Sequence, residues 1–161
     1  FNLISFNIFS LSKDDIFTSI SYILSSIELS ETETKERYTN FYTRNKKLFV
    51  WTVEHIFPQG ENIPQHWVDM VGNGDKQKAQ EIRKKYVHKL GNLTLTGYNS
   101  QLSNMSLTKK QERKNSEGKY IGFKNGLSLN KEIENTEKWS EQEIIDRTEF
   151  LVKKAIVIFK L

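Results

Sequence analysis

A glutamate and a histidine stand side by side in TVEHIFPQG, residues 52–60, directly after the apolar run LFVW. An imidazole, with an ordinary pKa of about 6.5, can take a proton from water at neutral pH. The Glu54 carboxylate is a hard oxygen donor, and Asn99 offers an amide oxygen of the same kind. Glu54, His55 and Asn99 as a set suit Mg²⁺ or Mn²⁺ better than Zn²⁺, and so few ligands leave positions for water and phosphate oxygens. One metal beside one histidine base is enough for phosphodiester hydrolysis: the imidazole activates water and the metal stabilises the pentavalent charge and the leaving oxygen. Plain structural roles stay open at each position. His55 shares a strand face with Phe49, Trp51 and Val53 and can be a core histidine bonded to a carbonyl. Asn92 after Gly91, Asn99 at a turn and Asn104 ahead of a helix all have backbone reasons to be asparagine. A regular strand also sends Glu54 and His55 to opposite faces, so both reach one phosphate only if the strand twists or ends there; Pro58 supplies an ending.

The flanking pattern names the elements that must hold these groups. Residues 12–29 predict a helix, with Ser12 as N-cap, Asp15 at the capping-box position and Ile16, Ile20, Ile23, Leu24 and Ile27 on one packed face. Residues 31–46, with Tyr38, Phe41 and Tyr42, are a polar helix or loop leading into a first strand over 48–56. A loop framed by Pro58 and Pro64 precedes a short helix containing Trp67, Val68 and Met70, and GNG at 72–74 is a turn. Residues 75–89 read as a basic helix with Gly91 at its C-terminal cap. NLTLT at 92–96 is a second strand with Leu93 and Leu95 on one face. GYNS at 97–100 turns into a helix carrying Leu102 and later Leu107, and residues 109–120 read as basic and exposed. Ser140 and Glu143 form a capping box that opens a long closing helix through Ile144, Leu151, Ala155 and Ile158. This order predicts an α+β fold, mostly α, with Trp51, Trp67 and Trp139 in the core.

A chain of 161 residues suits one domain, and it opens at Phe1 as a piece of a longer protein would. With no cysteine, disulfides and cysteine-ligated zinc or iron–sulfur centres are excluded, and a cytoplasmic location fits. No uninterrupted apolar run approaches the ~20 residues of a membrane span. The net charge of +4 permits a nucleic-acid partner. Lys76, Lys78, Arg83, Lys84, Lys85 and Lys89 precede the second strand, and Lys109, Lys110, Arg113, Lys114, Lys119 and Lys124 follow it. Some belong to solvated helix faces, but their concentration on both sides of the candidate site favours a phosphate-binding rim that holds a backbone without reading bases.

EHIFPQ at 54–59, HKLGNLTLT at 88–96, Asn99, Ser103–Asn104 and Lys110 together resemble the C-terminal nuclease domain of GmrSD-type modification-dependent restriction enzymes, a branch of the HNH (His-Me finger, ββα-metal) endonucleases. WSEQEIIDRTEFL, 139–151, is similar to the closing helix of that family. The resemblance implies a ββα-metal core embedded in a helical shell. It implies His55 as general base, Glu54 and Asn99 as ligands of one Mg²⁺ or Mn²⁺, and Asn92 as the residue that ties the inter-strand loop and orients the site. His88 and Asn104 match its phrasing with less defined roles; Lys110, with Lys109 and Arg113, is a candidate phosphate contact. The gap from His55 to Asn92 is long for a compact HNH unit, and the paired cysteines of many HNH domains are missing; both departures fit the GmrSD branch.

The resulting expectation is a metal-dependent DNA endonuclease module of bacterial restriction or phage defence. Residues 1–46 form a helical lead-in and 47–161 the nuclease domain. Its partners are DNA, with modified phage DNA as a candidate target, and an N-terminal nucleotide-hydrolysing and sensing domain. The alternatives are a catalytically silent nucleic-acid-binding or scaffolding domain, and a ribonuclease or toxin using the same site.

Overall fold

The apolar face of the first helix and the alternation in NLTLT create two surfaces that must cover each other. In the computed structural model they do. The described residues are 13–31 and 39–160; the predicted cap at Ser12 and the aromatic Tyr38 lie outside them. Helices α1 (Lys13–Glu31), α2 (Gln65–Gly72), α3 (Lys76–Tyr86), α4 (Asn99–Leu102), α5 (Leu107–Glu112) and α6 (Glu141–Phe159) surround two small antiparallel sheets. One sheet pairs β1 (Arg44–Asn45) with β2 (Leu48–Phe49); the other pairs β3 (Thr52–His55) with β4 (Leu93–Thr96). The fold is mixed and dominated by helix, as an α+β reading requires.

The strand expected over 48–56 is two strands. β2 turns back on β1 through Lys46, whose φ of 57° permits the tight turn. Val50 N–H then bonds the Thr43 carbonyl at 2.9 Å, and the chain bends at Val50–Trp51 before β3 takes β4 as its partner. The hydrophobic run is continuous, but its hydrogen-bond partner changes halfway.

In the β3–β4 register Glu54 stands opposite Thr94 and His55 opposite Leu93. Alternation puts Val53, His55, Leu93 and Leu95 on one face. Leu24 and Ile27 of α1 and Leu151 of α6 cluster with Leu93 and Leu95 there. α4 begins three residues after β4 ends.

Between β3 and β4 the chain makes a helical excursion. Asp75 caps α3 by accepting from Gln77 N–H at 2.8 Å and Lys78 N–H at 3.1 Å. Arg83, Lys84 and Lys85 occupy its last turn, where cations complement the helix dipole. α3 ends at Tyr86, five residues before Gly91, so Gly91 is not its cap. Gly91 is instead required by close approach: a Cβ there would run into the Ile144 carbonyl oxygen and Thr148 of α6. Trp67, Phe57, Trp139 and Ile144 make the second apolar cluster, under the excursion.

α6 begins with the predicted Ser140–Glu143 capping box. Its Arg147, buried, donates to the carbonyls of Gly91 (2.7 Å), Leu93 (2.8 Å) and Leu129 (2.8 Å), stitching helix to strand. The β1–β2 hairpin turns at residue 46, and α1 packs against β3 and β4. No helix among the described residues is long and apolar enough to cross a membrane.

Candidate functional site

His55 is the last residue of β3 and is 6 % exposed. Its Nε2 lies 3.1 Å from Nδ1 of His88, which follows α3, and the two rings meet edge to face at 5.2 Å. One of the two bonded nitrogens must carry the proton, so the contact fixes both tautomers together. Phe17 of α1 closes on the other side, its ring centroid 6.4 Å from that of His55. Burial, reinforced by His88 and by the Lys110 ammonium, lowers the His55 pKa to about 4. The imidazole is therefore neutral at neutral pH and keeps a lone pair for a proton.

Glu54 faces the opposite side, as the strand period demands. Its Oε1 accepts from Lys110 Nζ at 2.6 Å, and both side chains are buried. Lys110 also donates to the carbonyls of His55 (2.6 Å) and Ile56 (3.1 Å), so its three protons are all used. Burial raises the Glu54 pKa while the ammonium opposes that shift, and burial likewise lowers Lys110 against the pull of Glu54.

Asn92 is fully buried and makes four bonds. Its Oδ1 accepts from Phe57 N–H (2.9 Å) and the Trp139 indole (3.1 Å); its Nδ2 donates to the carbonyls of Phe57 and Val87, both at 2.9 Å. It ties the start of the excursion to its end. Asn99 opens α4 and donates from Nδ2 to the Val53 carbonyl at 2.7 Å, the residue before Glu54. Two of the three expected groups are thus anchored on β3 itself, and the third is bonded to it.

The other expected contacts divide. Lys110, expected as a phosphate contact, is sealed inside the chain, where it clamps the end of β3. The expected exposed stretch from residue 109 correspondingly starts with a helix whose Lys110 and Gln111 are buried. Leu107, three residues earlier on the same helix face and buried, was the signal. Lys109 and Arg113 are exposed, with no ion pair among the described residues. Asn104 is exposed, and its carbonyl meets His66 Nε2 at 3.2 Å. His88 sits on the His55 ring, a pairing that no spacing in the sequence announces.

Among the described residues no group of three His, Cys, Asp or Glu could hold a metal ion. The oxygen donors here are one carboxylate, Glu54, and one amide, Asn99. Hard oxygens are the donor type of Mg²⁺ or Mn²⁺ rather than Zn²⁺, but Glu54 is 3 % exposed and reaches a hydrated ion only by leaving its pair with Lys110. Lys110 already holds one Glu54 oxygen.

Residues 5–154 match the family model described as GmrSD restriction endonucleases, C-terminal domain. No curated protein and no solved structure matches the chain.

Proposed function

We propose that this chain, which belongs to the family of GmrSD restriction endonuclease C-terminal domains, is a metal-dependent DNA endonuclease module acting at the end of β3. The observation that carries the reading is the neutral, buried imidazole of His55, with one nitrogen held by His88. In this mechanism His55 takes a proton from the attacking water through its other ring nitrogen. His88 fixes the ring and its tautomer. Asn92 keeps the exit of β3 in place, and Lys110 holds the His55 and Ile56 carbonyls so that the strand ends where it does. Glu54 and Asn99 would hold Mg²⁺ or Mn²⁺, which supplies charge stabilisation at the phosphate. Lys109 and Arg113 are exposed cations available to the DNA backbone. The ββα-metal description, an N-terminal nucleotide-hydrolysing and sensing partner, modified phage DNA as target and a cytoplasmic place of action belong to this same reading.

A second reading has one observation in its favour: the Lys110 ammonium occupies Glu54 as a counter-ion. In a catalytically silent DNA-binding domain that pair is purely structural. Plasmid nicking separates the two. Nicking by the chain with Mg²⁺ or Mn²⁺, abolished by EDTA and reduced roughly 10²–10⁴-fold in His55→Ala, supports the nuclease. Undiminished nicking by His55→Ala sinks the assignment of the base.

A further inference from the structure

We infer that a cleft beside β3 receives one unstacked nucleobase of the bound strand, with a neighbouring phosphate held by the β1–β2 hairpin. The inference rests on the nucleic-acid reading above and extends it to a second site.

The cleft has a volume of about 630 Å³, inside the range of roughly 300–1,000 Å³ typical of small-ligand sites. Phe41 and Trp51 meet edge to face at 5.1 Å and form its floor, Phe41 being buried. Phe17, Tyr42 and Phe49 stand around it and keep over a third of their surface in water. Three exposed aromatic rings around one concavity are a flat-faced apolar site, not scattered surface residues. Ser21 and Thr52 place hydroxyls in the same walls, able to meet polar base edges.

Charge selects the occupant. Lys47 lines the cleft, and Arg44 and Lys46 share its hairpin. None of the three forms an ion pair among the described residues. The Arg44 guanidinium lies 4.0 Å above the Phe49 ring centroid, so a cation and an aromatic face are offered together at the rim. Aromatic faces beside unpaired cations are what a nucleotide needs: a stacking platform and a phosphate anchor. Bases inside a duplex have both faces covered, so the occupant is a base out of its stack.

Position links the cleft to the candidate site. Thr52 and Val53 line it, and these are the residues Asn99 reaches from α4. Phe17 is shared between the cleft wall and the His55 ring.

The test is oligonucleotide binding by the whole chain in EDTA, with 2-aminopurine in a short single strand and in the matched duplex. Wild type is expected to bind the single strand with quenching of the 2-aminopurine. Phe49→Ala is expected to lose the quench and weaken single-strand binding roughly tenfold to a hundredfold, with little change on the duplex. Lys47→Gln is expected to weaken both and to flatten the salt dependence. Phe49 and Lys47 are exposed, and equal thermal melts of the variants establish that the fold is intact. Absence of quenching overturns the inference, as does an equal loss on both substrates in Phe49→Ala. It is also overturned if Phe49→Ala leaves binding alone and dissociates a dimer in sedimentation, because a second copy then covers the cleft. A chain that quenches but never nicks retains the cleft and loses the nuclease; one that nicks without quenching does the reverse.

Discussion

Lys110 Nζ and Glu54 Oε1 lie 2.6 Å apart with neither side chain open to solvent, so α5 is pinned to the end of β3 by a buried charge pair. Desolvating two ions costs nearly as much as their attraction returns, and such a pair is weak evidence for stability in itself. Its geometric effect is larger, because the same ammonium holds the carbonyls of His55 and Ile56. Lys110→Met leaves Glu54 buried and unpaired and should destabilise the chain by about 3–5 kcal/mol. Urea denaturation measures this. Adding Glu54→Gln to it should recover part of the loss, and a double variant no more stable than the single one would show that the pair's electrostatics are not the cause.

Asn92→Ala should be worse than its size suggests. It strands the Phe57 N–H, the Trp139 indole and two carbonyls in a dry interior, each left with about 1–3 kcal/mol of unmet hydrogen bonding. A loss of at least about 3 kcal/mol in equilibrium unfolding is expected; a loss below about 1 kcal/mol would mean that water replaces the amide.

His88→Ala should separate orientation from chemistry. The imidazole of His55 remains, but its ring is no longer held. Nicking should fall by up to about a hundredfold, with DNA affinity unchanged and the melting temperature little moved. The ¹⁵N spectrum of His55 should show mixed tautomers in place of one. A single unchanged tautomer in His88→Ala refutes the positioning role.

Acid should destabilise the fold through His55. Its folded pKa is lowered to about 4, while an unfolded histidine titrates at about 6.5. Between those values the unfolded chain binds the extra proton, so stability falls as pH drops through that window, by about 3 kcal/mol at most. Glu54, whose pKa is raised, contributes a slope of the opposite sign above its ordinary value, so the comparison of variants is what isolates the histidine. Chemical denaturation from pH 7 to pH 4 in EDTA should show a shallower decline for His55→Asn than for wild type. Parallel curves would mean that the folded imidazole titrates normally.

What the sequence disclosed was periodic or local. The closing helix with its capping box, the Asp75-led basic helix and the alternation of Leu93 and Leu95 all follow from rules that span a few residues. Glu54, His55 and Asn99 stood out as candidates because their chemistry is unusual beside an apolar strand. The lost information was about partners distant in the chain. Nothing within a few residues of Val50 says that β2 pairs backward and β3 pairs with residues some forty positions on. Gly91 looks the same as a helix cap or as a gap for α6, and only the Ile144 carbonyl decides. Lys110 was assigned to the surface by its charge; the carbonyls of His55 and Ile56 and the carboxylate of Glu54 make its burial tolerable, and all three lie more than fifty residues away.

The excursion from β3 to β4 leaves and returns through a single point. Ile56 N–H bonds the Asn92 carbonyl at 2.9 Å, and the Asn92 amide clasps Phe57 beside it. A loop closed at its neck can change at its outer turn while its inner face stays packed: Trp67, Val68, Ile82 and Tyr86 sit in one cluster with Trp139 and Ile144, and the Trp67 indole donates to the Met105 carbonyl at 2.9 Å. Residues added or removed at the turn between α2 and α3 change the closure entropy only logarithmically and leave the strand register alone. His88, just past α3, is where the excursion reaches the His55 imidazole. The tolerance for length is thus confined to the turn at Asn73 and Gly74, while the buried faces of both helices remain part of the core under Trp139.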